Sequence, residues 1–319
     1  MAGEASPRAA AGSAATPASR RAFLRYAWIT LGITVLVIVW GAVVRATGSG
    51  AGCGSHWPLC NGDVVPMAPS TGTIIEFIHR LTSGGAMILA VGLVIAARRV
   101  FEAGHQARRW AIVTFGFMLV EAAIGAGIVL LGLVEDDASA LRAAYVGGHL
   151  VNTLLLVGAM LITIWWAQPR PAGLQLTGTL TGRARGLGFC LLALLAVAAT
   201  GAIVALGDTL FPHASLAEGV AADFDPTSHF LIRLRIWHPV LAGLVAVWLL
   251  LAASSGRLPA GSGRRLVVTF VLVQTALGVI NLLLLAPLAL QMAHLVVSNL
   301  LWMAVVWVWL DARAAPGRS

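Results

Sequence analysis

Residues Ile74–Arg80 read IIEFIHR, and residues 81–97 continue as LTSGGAMILAVGLVIAA. A helical run of this length crosses a hydrocarbon core of about 30 Å, which takes about 20 residues. Yet a glutamate, a histidine and an arginine stand within five residues at its head. Ionisable groups at membrane depth cost free energy and as a rule face a bundle interior with a task. Fold and function are therefore read from the same stretch.

Hydrophobic residues make up 59% of the 319-residue chain and charged residues 11%, and several other apolar runs are as long, which makes this a polytopic membrane protein. The net charge of +8 invites a nucleic-acid reading. All 21 basic residues are arginines, however, and most lie in short connections between apolar runs, so topology explains them and no nucleic acid is expected as a partner. Eight spans are predicted, at about 24–45, 74–97, 109–133, 142–167, 185–206, 232–253, 265–286 and 289–310. Arginines crowd the chain before the first span and the second, fourth and sixth connections. The acids Asp63, Glu135, Asp136, Asp137, Asp208, Glu218, Asp223 and Asp225 fall in the others. The arginine-rich ends are expected in the cytoplasm, with both termini, in a multi-pass protein of the cell membrane. The Ala-, Ser- and Pro-rich start lacks an apolar core and predicts a disordered cytoplasmic tail over 1–23, not a cleaved signal. A cytoplasmic linker is expected over 168–184 and a second tail over 312–319.

The chain resembles itself at half its length. WGAVVRATG around Gly41 matches TGAIVALGD around Gly201, VEAAIGAGIVLL matches VQTALGVINLLL at Glu121 and Gln274, and GGHLVNTLL matches MAHLVVSNLL at His149 and His294. The expected fold class is all-α: eight transmembrane helices as two parallel-repeat four-helix bundles, 24–167 and 185–311.

Of eight histidines, His56, His105, His213 and His229 fall in connections, where a solvated role is the simpler reading. His79, His149, His238 and His294 fall on spans two, four, six and eight. Each stands about six residues inside, or about 9 Å deep at 1.5 Å per residue, so the four form one layer with two per half. Isolated histidines bonded to neighbouring helices are the bland alternative. Two neutral imidazoles from facing helices are what a six-coordinate heme iron needs, whereas zinc or copper wants a more compact set of ligands. One heme site per half is expected.

The halves differ chemically. Glu76, three residues before His79, shares its helix face; the matching position before His238 is Arg235. A desolvated carboxyl suits proton handling at a reacting centre, so the first half is expected to be catalytic and the second to carry electrons. Alternatively Glu76 is an ion-pair partner of Arg80 or Arg45. Arg45, Arg80, Arg233 and Arg235 are candidates for holding heme propionates. In GSGAGCGSHWPLCNG, Cys53 and Cys60 are separated by six residues with glycines and a proline that let the loop close, and a disulfide is expected there, structural or redox-active. Cys190 is expected to be helix packing.

VVRATGSGAGCGSHWPLCNG, EFIHR, GGHLVN, IWHPVLAG and MAHLVVSNLLW, in this order over eight spans, resemble the heme A synthase family, in its bacterial branch with a cysteine pair in the first outer loop. The resemblance implies conversion of heme O to heme A, through two hydroxylations of the C8 methyl and loss of water to leave a formyl group. It implies that His79 and His149 ligate the substrate heme, that Glu76 is the catalytic glutamate beside the reacting edge, and that His238 and His294 hold heme b as cofactor. A second cysteine pair found in that branch is absent from 208–228. Membrane lipid and heme O are the implied partners; the electron acceptor, docking on the heme O synthase and a homo-oligomer stay open, as does the role of Glu121. A quinol-linked diheme cytochrome b without hydroxylation chemistry, which has no need of Glu76, and a transporter with parallel repeats are the rival readings.

Overall fold

The computed structural model describes residues 16–170, 174–176 and 182–315. Among them, eight helices are long and apolar enough to cross a membrane. They are α1 (Pro17–Ala46), α2 (Thr71–Val100), α3 (Gln106–Leu130), α4 (Ala140–Ala167), α5 (Gly182–Leu210), the continuous helical stretch 230–254, α9 (Ser262–Leu283) and α10 (Leu288–Arg313). A short α6 (Leu216–Phe224) lies between α5 and the sixth span. That span opens as α7 (Phe230–Arg233), passes through one 3-10 turn and continues as α8 (Trp237–Ser254). The expected all-α, multi-pass architecture is present. A two-residue antiparallel pair, β1 (Gln175–Leu176) with β2 (Ala314–Ala315), ties the middle connection to the end of α10.

Local chemistry sets the helix starts. The Thr16 hydroxyl accepts the Ser19 N–H and Pro17 occupies the first helical position, a pairing that pre-organises a first turn. Ser70 and Ser139 cap α2 and α4 in the same way. Helix α1 therefore begins seven residues before the expected 24, and residues 17–23, expected as tail, are helical. At 30 residues and about 45 Å, α1 outreaches the hydrocarbon, so its arginines stand beyond the apolar stretch. Arg20 there reaches the Gln168 carbonyl and the Phe101 ring. Residues 1–15 of the expected tail, 171–173 and 177–181 of the expected linker, and 316–319 lie outside the described residues. The helix ends also run past the expected linker and tail boundaries, at Gly182 and Arg313.

The first four long helices close a ring, α1 on α2, α2 on α3, α3 on α4 and α4 on α1. The second set closes another, α5 on α8, α8 on α9, α9 on α10 and α10 on α5. In each ring the second and fourth helices stand at diagonal corners. The rings meet through α1, α4, α5 and α10, and the set of contacts is unchanged when α1 is exchanged with α5 and α4 with α10. Because lipid is as apolar as leucine, helix association there relies on close packing and small residues. Ala86, Ala90, Leu93 and Ala97 make such a stripe on α2, against Phe23, Ala27 and Leu31. Helix α4 is the most enclosed, with Trp165 fully buried and donating its Nε1–H to Asp311 Oδ1 of α10 at 2.8 Å.

Candidate functional site: two pairs of histidines

The four intramembrane histidines stand six to nine residues inside their helices, all at the end that carries the Cys53–Cys60 loop. His79 and His149 project from the diagonal corners α2 and α4 of the first ring, and His238 and His294 from the corners α8 and α10 of the second. Each imidazole meets a glycine on a flanking helix. A Cβ on Gly41 would come within 2.9 Å of the His79 ring and one on Gly201 within 2.8 Å of the His238 ring. The corresponding figures are 3.9 Å for Gly125 with His149 and 3.2 Å for Gly278 with His294. Gly41 and Gly201, and Gly125 and Gly278, occupy corresponding positions in the sequence stretches that resemble each other. The missing side chains leave room for the rings to lie against the backbone of the facing helix.

The second pair is spaced as two ligands of one metal ion would be. The His238 and His294 ring centres are 6.4 Å apart, with their planes at 77°. Imidazoles bonded at about 2 Å on opposite sides of one metal ion bring their centres about 6 Å apart. His238 Nδ1 faces the Val197 carbonyl at 3.1 Å and Thr200 Oγ1 at 3.4 Å. An N–H donated to that carbonyl fixes the tautomer and leaves Nε2 as the metal-binding atom. The Nδ1 atoms of His79, His149 and His294 are buried without a hydrogen bond. Gln274 Nε2 stands 3.0 Å from His294 Nε2, a contact that ligation would exchange for a metal bond. Among the described residues no group of three or more His, Cys, Asp or Glu gathers as a bare-metal site. The donor set suits a group that brings its own equatorial ligands.

Glu76 is buried, 3% exposed. Its Oε1 accepts from Arg80, through Nε at 3.0 Å and through Nη2, and its Oε2 accepts the Cys53 N–H at 2.8 Å. The ion-pair alternative considered for Glu76 is present. Of the two partners considered, Arg80, one turn on, is the one present. Cys53 and Cys60 are bonded, and the resulting loop is clamped on α2: Arg80 Nη1 donates to the His56 and Leu59 carbonyls, and Thr73 Oγ1 to the Gly52 carbonyl.

The other arginines are also engaged. Arg45 bridges the rings, donating to the Ala205 carbonyl, Thr209 Oγ1 and Gln291 Oε1. Arg235 pairs with Asp223 and Asp208 at 2.9 and 3.0 Å and meets His213 Nε2 at 2.7 Å, so His213 belongs to a network at the mouth of the second ring. Arg233 is exposed, and Cys190 is buried in the second core as expected. Sequence reasoning missed the surroundings of Glu121. Its Oε1 lies 3.3 Å from His149 Nδ1, and its two oxygens accept from Thr153 Oγ1 and Asn152 Nδ2. The i, i+3 and i+4 spacing of Asn152 and Thr153 from His149 was the available signal.

The family described as COX15-CtaA, cytochrome oxidase assembly protein, matches residues 24–306. The chain belongs to the COX15-CtaA family. Relatives of this COX15-CtaA member include a "Protoheme IX farnesyltransferase" of Thermus thermophilus, 42% identical over 299 residues, which are 92% of this chain and 48% of that protein. The chain spans about half the length of the Thermus relatives it matches. A "Heme A synthase" of Bacillus cereus is 45% identical over 98 residues, 31% of this chain and 32% of that protein.

Proposed function

We propose that this COX15-CtaA protein is a heme A synthase, an oxidoreductase that converts the C8 methyl of heme O to the formyl group of heme A by successive hydroxylations. The observation that carries the reading is the two sets of histidines on diagonal helices, each ring lying against a glycine, with a buried glutamate one turn before His79 in the first half alone. In this reading the two halves are parallel repeats, the termini are cytoplasmic and the disulfide loop faces the other side.

His79 and His149 hold the substrate from opposite sides, and His238 and His294 hold heme b, which when bound supplies electron transfer to an acceptor. Glu76 is the catalytic glutamate of the first site. Arg80 holds and orients its carboxyl group, which assists proton removal or stabilises positive charge as the methyl carbon is oxidised. The bundle excludes water and fixes the reacting edge, while the hard chemistry belongs to the porphyrin iron. Heme O synthase as a docking partner is supported by the farnesyltransferase name of the Thermus relatives, half of whose length this chain matches.

A diheme cytochrome b is the second reading. The Glu76–Arg80 ion pair favours it, since it gives the acid a structural partner. Co-expression with a heme O producer in a host lacking heme A, followed by chromatography of extracted hemes, separates the two. Heme A or its hydroxymethyl precursor is expected; heme O alone beside a bound heme b refutes the synthase.

A further inference from the structure

The two histidine pairs differ behind the fourth-helix ligand. In the first ring, α3 presents Glu121 to His149 Nδ1, the nitrogen that faces away from a metal held at Nε2. The 3.3 Å contact is an ion-pair distance out of line for a hydrogen bond. In the second ring the matching residue on α9 is Gln274, a neutral amide, and it meets His294 at Nε2. The acid is also built in. Asn152 Nδ2 donates both to Glu121 Oε2 and to the Phe117 carbonyl, and the single Thr153 hydroxyl proton is within reach of both Glu121 Oε1 and the His149 carbonyl. The matching positions after His294 are Val297 and Ser298, and Ser298 bonds the Leu295 carbonyl within its own helix. Acid and anchors therefore come as a set in the first half.

We infer that Glu121 is a positioning residue of the first pair: anchored by Asn152 and Thr153, its carboxylate orients His149 from behind and makes it a more electron-donating axial ligand than His294. A carboxylate behind a metal-bound histidine fixes the ring and raises its basicity. At an iron porphyrin, a stronger donor stabilises the oxidised metal and lowers the reduction potential. The pocket in which a methyl group is oxidised thereby differs electronically from the pocket that carries electrons. This inference rests on the heme reading above.

The test is a potentiometric titration, followed in the visible spectrum, of the purified full chain loaded with iron protoporphyrin IX. Wild type is expected to show two one-electron steps, the lower removed by His149→Ala. Glu121→Gln should raise the lower step by about tenfold in the reduced-to-oxidised ratio at fixed potential, about 59 mV for one electron, and leave the upper step in place. Glu121→Asp should hold the lower step nearer its wild-type position. The paired Asn152→Val and Thr153→Val variant keeps the acid but removes both anchors, and should move the lower step upward by less. A wild type with a single step overturns the functional reading itself. Two steps, with neither Glu121→Gln nor the paired variant moving the lower one, overturn this inference alone.

Discussion

Gly201 lies against the His238 imidazole so closely that an added Cβ would stand 2.8 Å from Cε1. Gly41 has the same relation to His79 at 2.9 Å. Contacts under 3 Å force the ring to move, and a bis-histidine site tolerates little movement. Gly201→Val is therefore expected to remove most of the heme b, and Gly41→Val most of the substrate heme, with the other site intact in each case. Heme-to-protein ratios of the purified variants check this.

The charge of Glu76 is separable from its place in the loop clamp. Glu76→Gln keeps an acceptor for the Cys53 N–H and loses the ion pair with Arg80. Heme A formation should fall about 10²-fold or more, the scale of a lost acid–base group, with bound heme unchanged. Full turnover in this variant would leave Glu76 only a structural part.

Removing the disulfide should be milder. Cys53 and Cys60 are seven residues apart, and closing so short a loop is worth about 2–3 kcal/mol in the chain-entropy account, while the Arg80, Thr73 and Glu76 contacts still hold the loop. The Cys53→Ser, Cys60→Ser protein is expected to melt earlier, to be cut faster by protease in the loop, and to retain heme b and measurable turnover. Abolished turnover with an unchanged protease pattern would instead assign the bond a redox role.

Eight long apolar helices were legible because apolar length is a local property of sequence; counting inward put each histidine about six residues deep, and the helices place them six to nine residues in because their caps lie further out. The start of α1 was less so, because Arg20, Arg21 and Arg25 read as connection while the Thr16–Pro17 cap, a two-residue signal, fixed the helix earlier. Helix α6 escaped notice because nine residues without a long apolar run look like loop. Partners chosen across space were not legible at all: Glu76 took Arg80 and a loop amide, Arg45 turned to the other ring, and Glu121 found its place only once α3 stood beside α4.

The 77° between the His238 and His294 planes has a spectroscopic consequence. Near-perpendicular axial imidazoles give low-spin ferric heme a strongly anisotropic electron paramagnetic resonance signal. That signal is expected in the oxidised protein and should vanish in His294→Ala. A rhombic signal typical of parallel rings would contradict the geometry.

The most direct measurement is the reduced-minus-oxidised absorption spectrum of the purified protein with heme quantified per chain, in wild type and in the His79→Ala and His238→Ala variants. The account predicts a low-spin Soret and α-band in wild type, loss of the resident heme b in His238→Ala, and its retention in His79→Ala with loss of only the substrate heme. Absence of a Soret band in wild type, or equal loss in both variants, would contradict it.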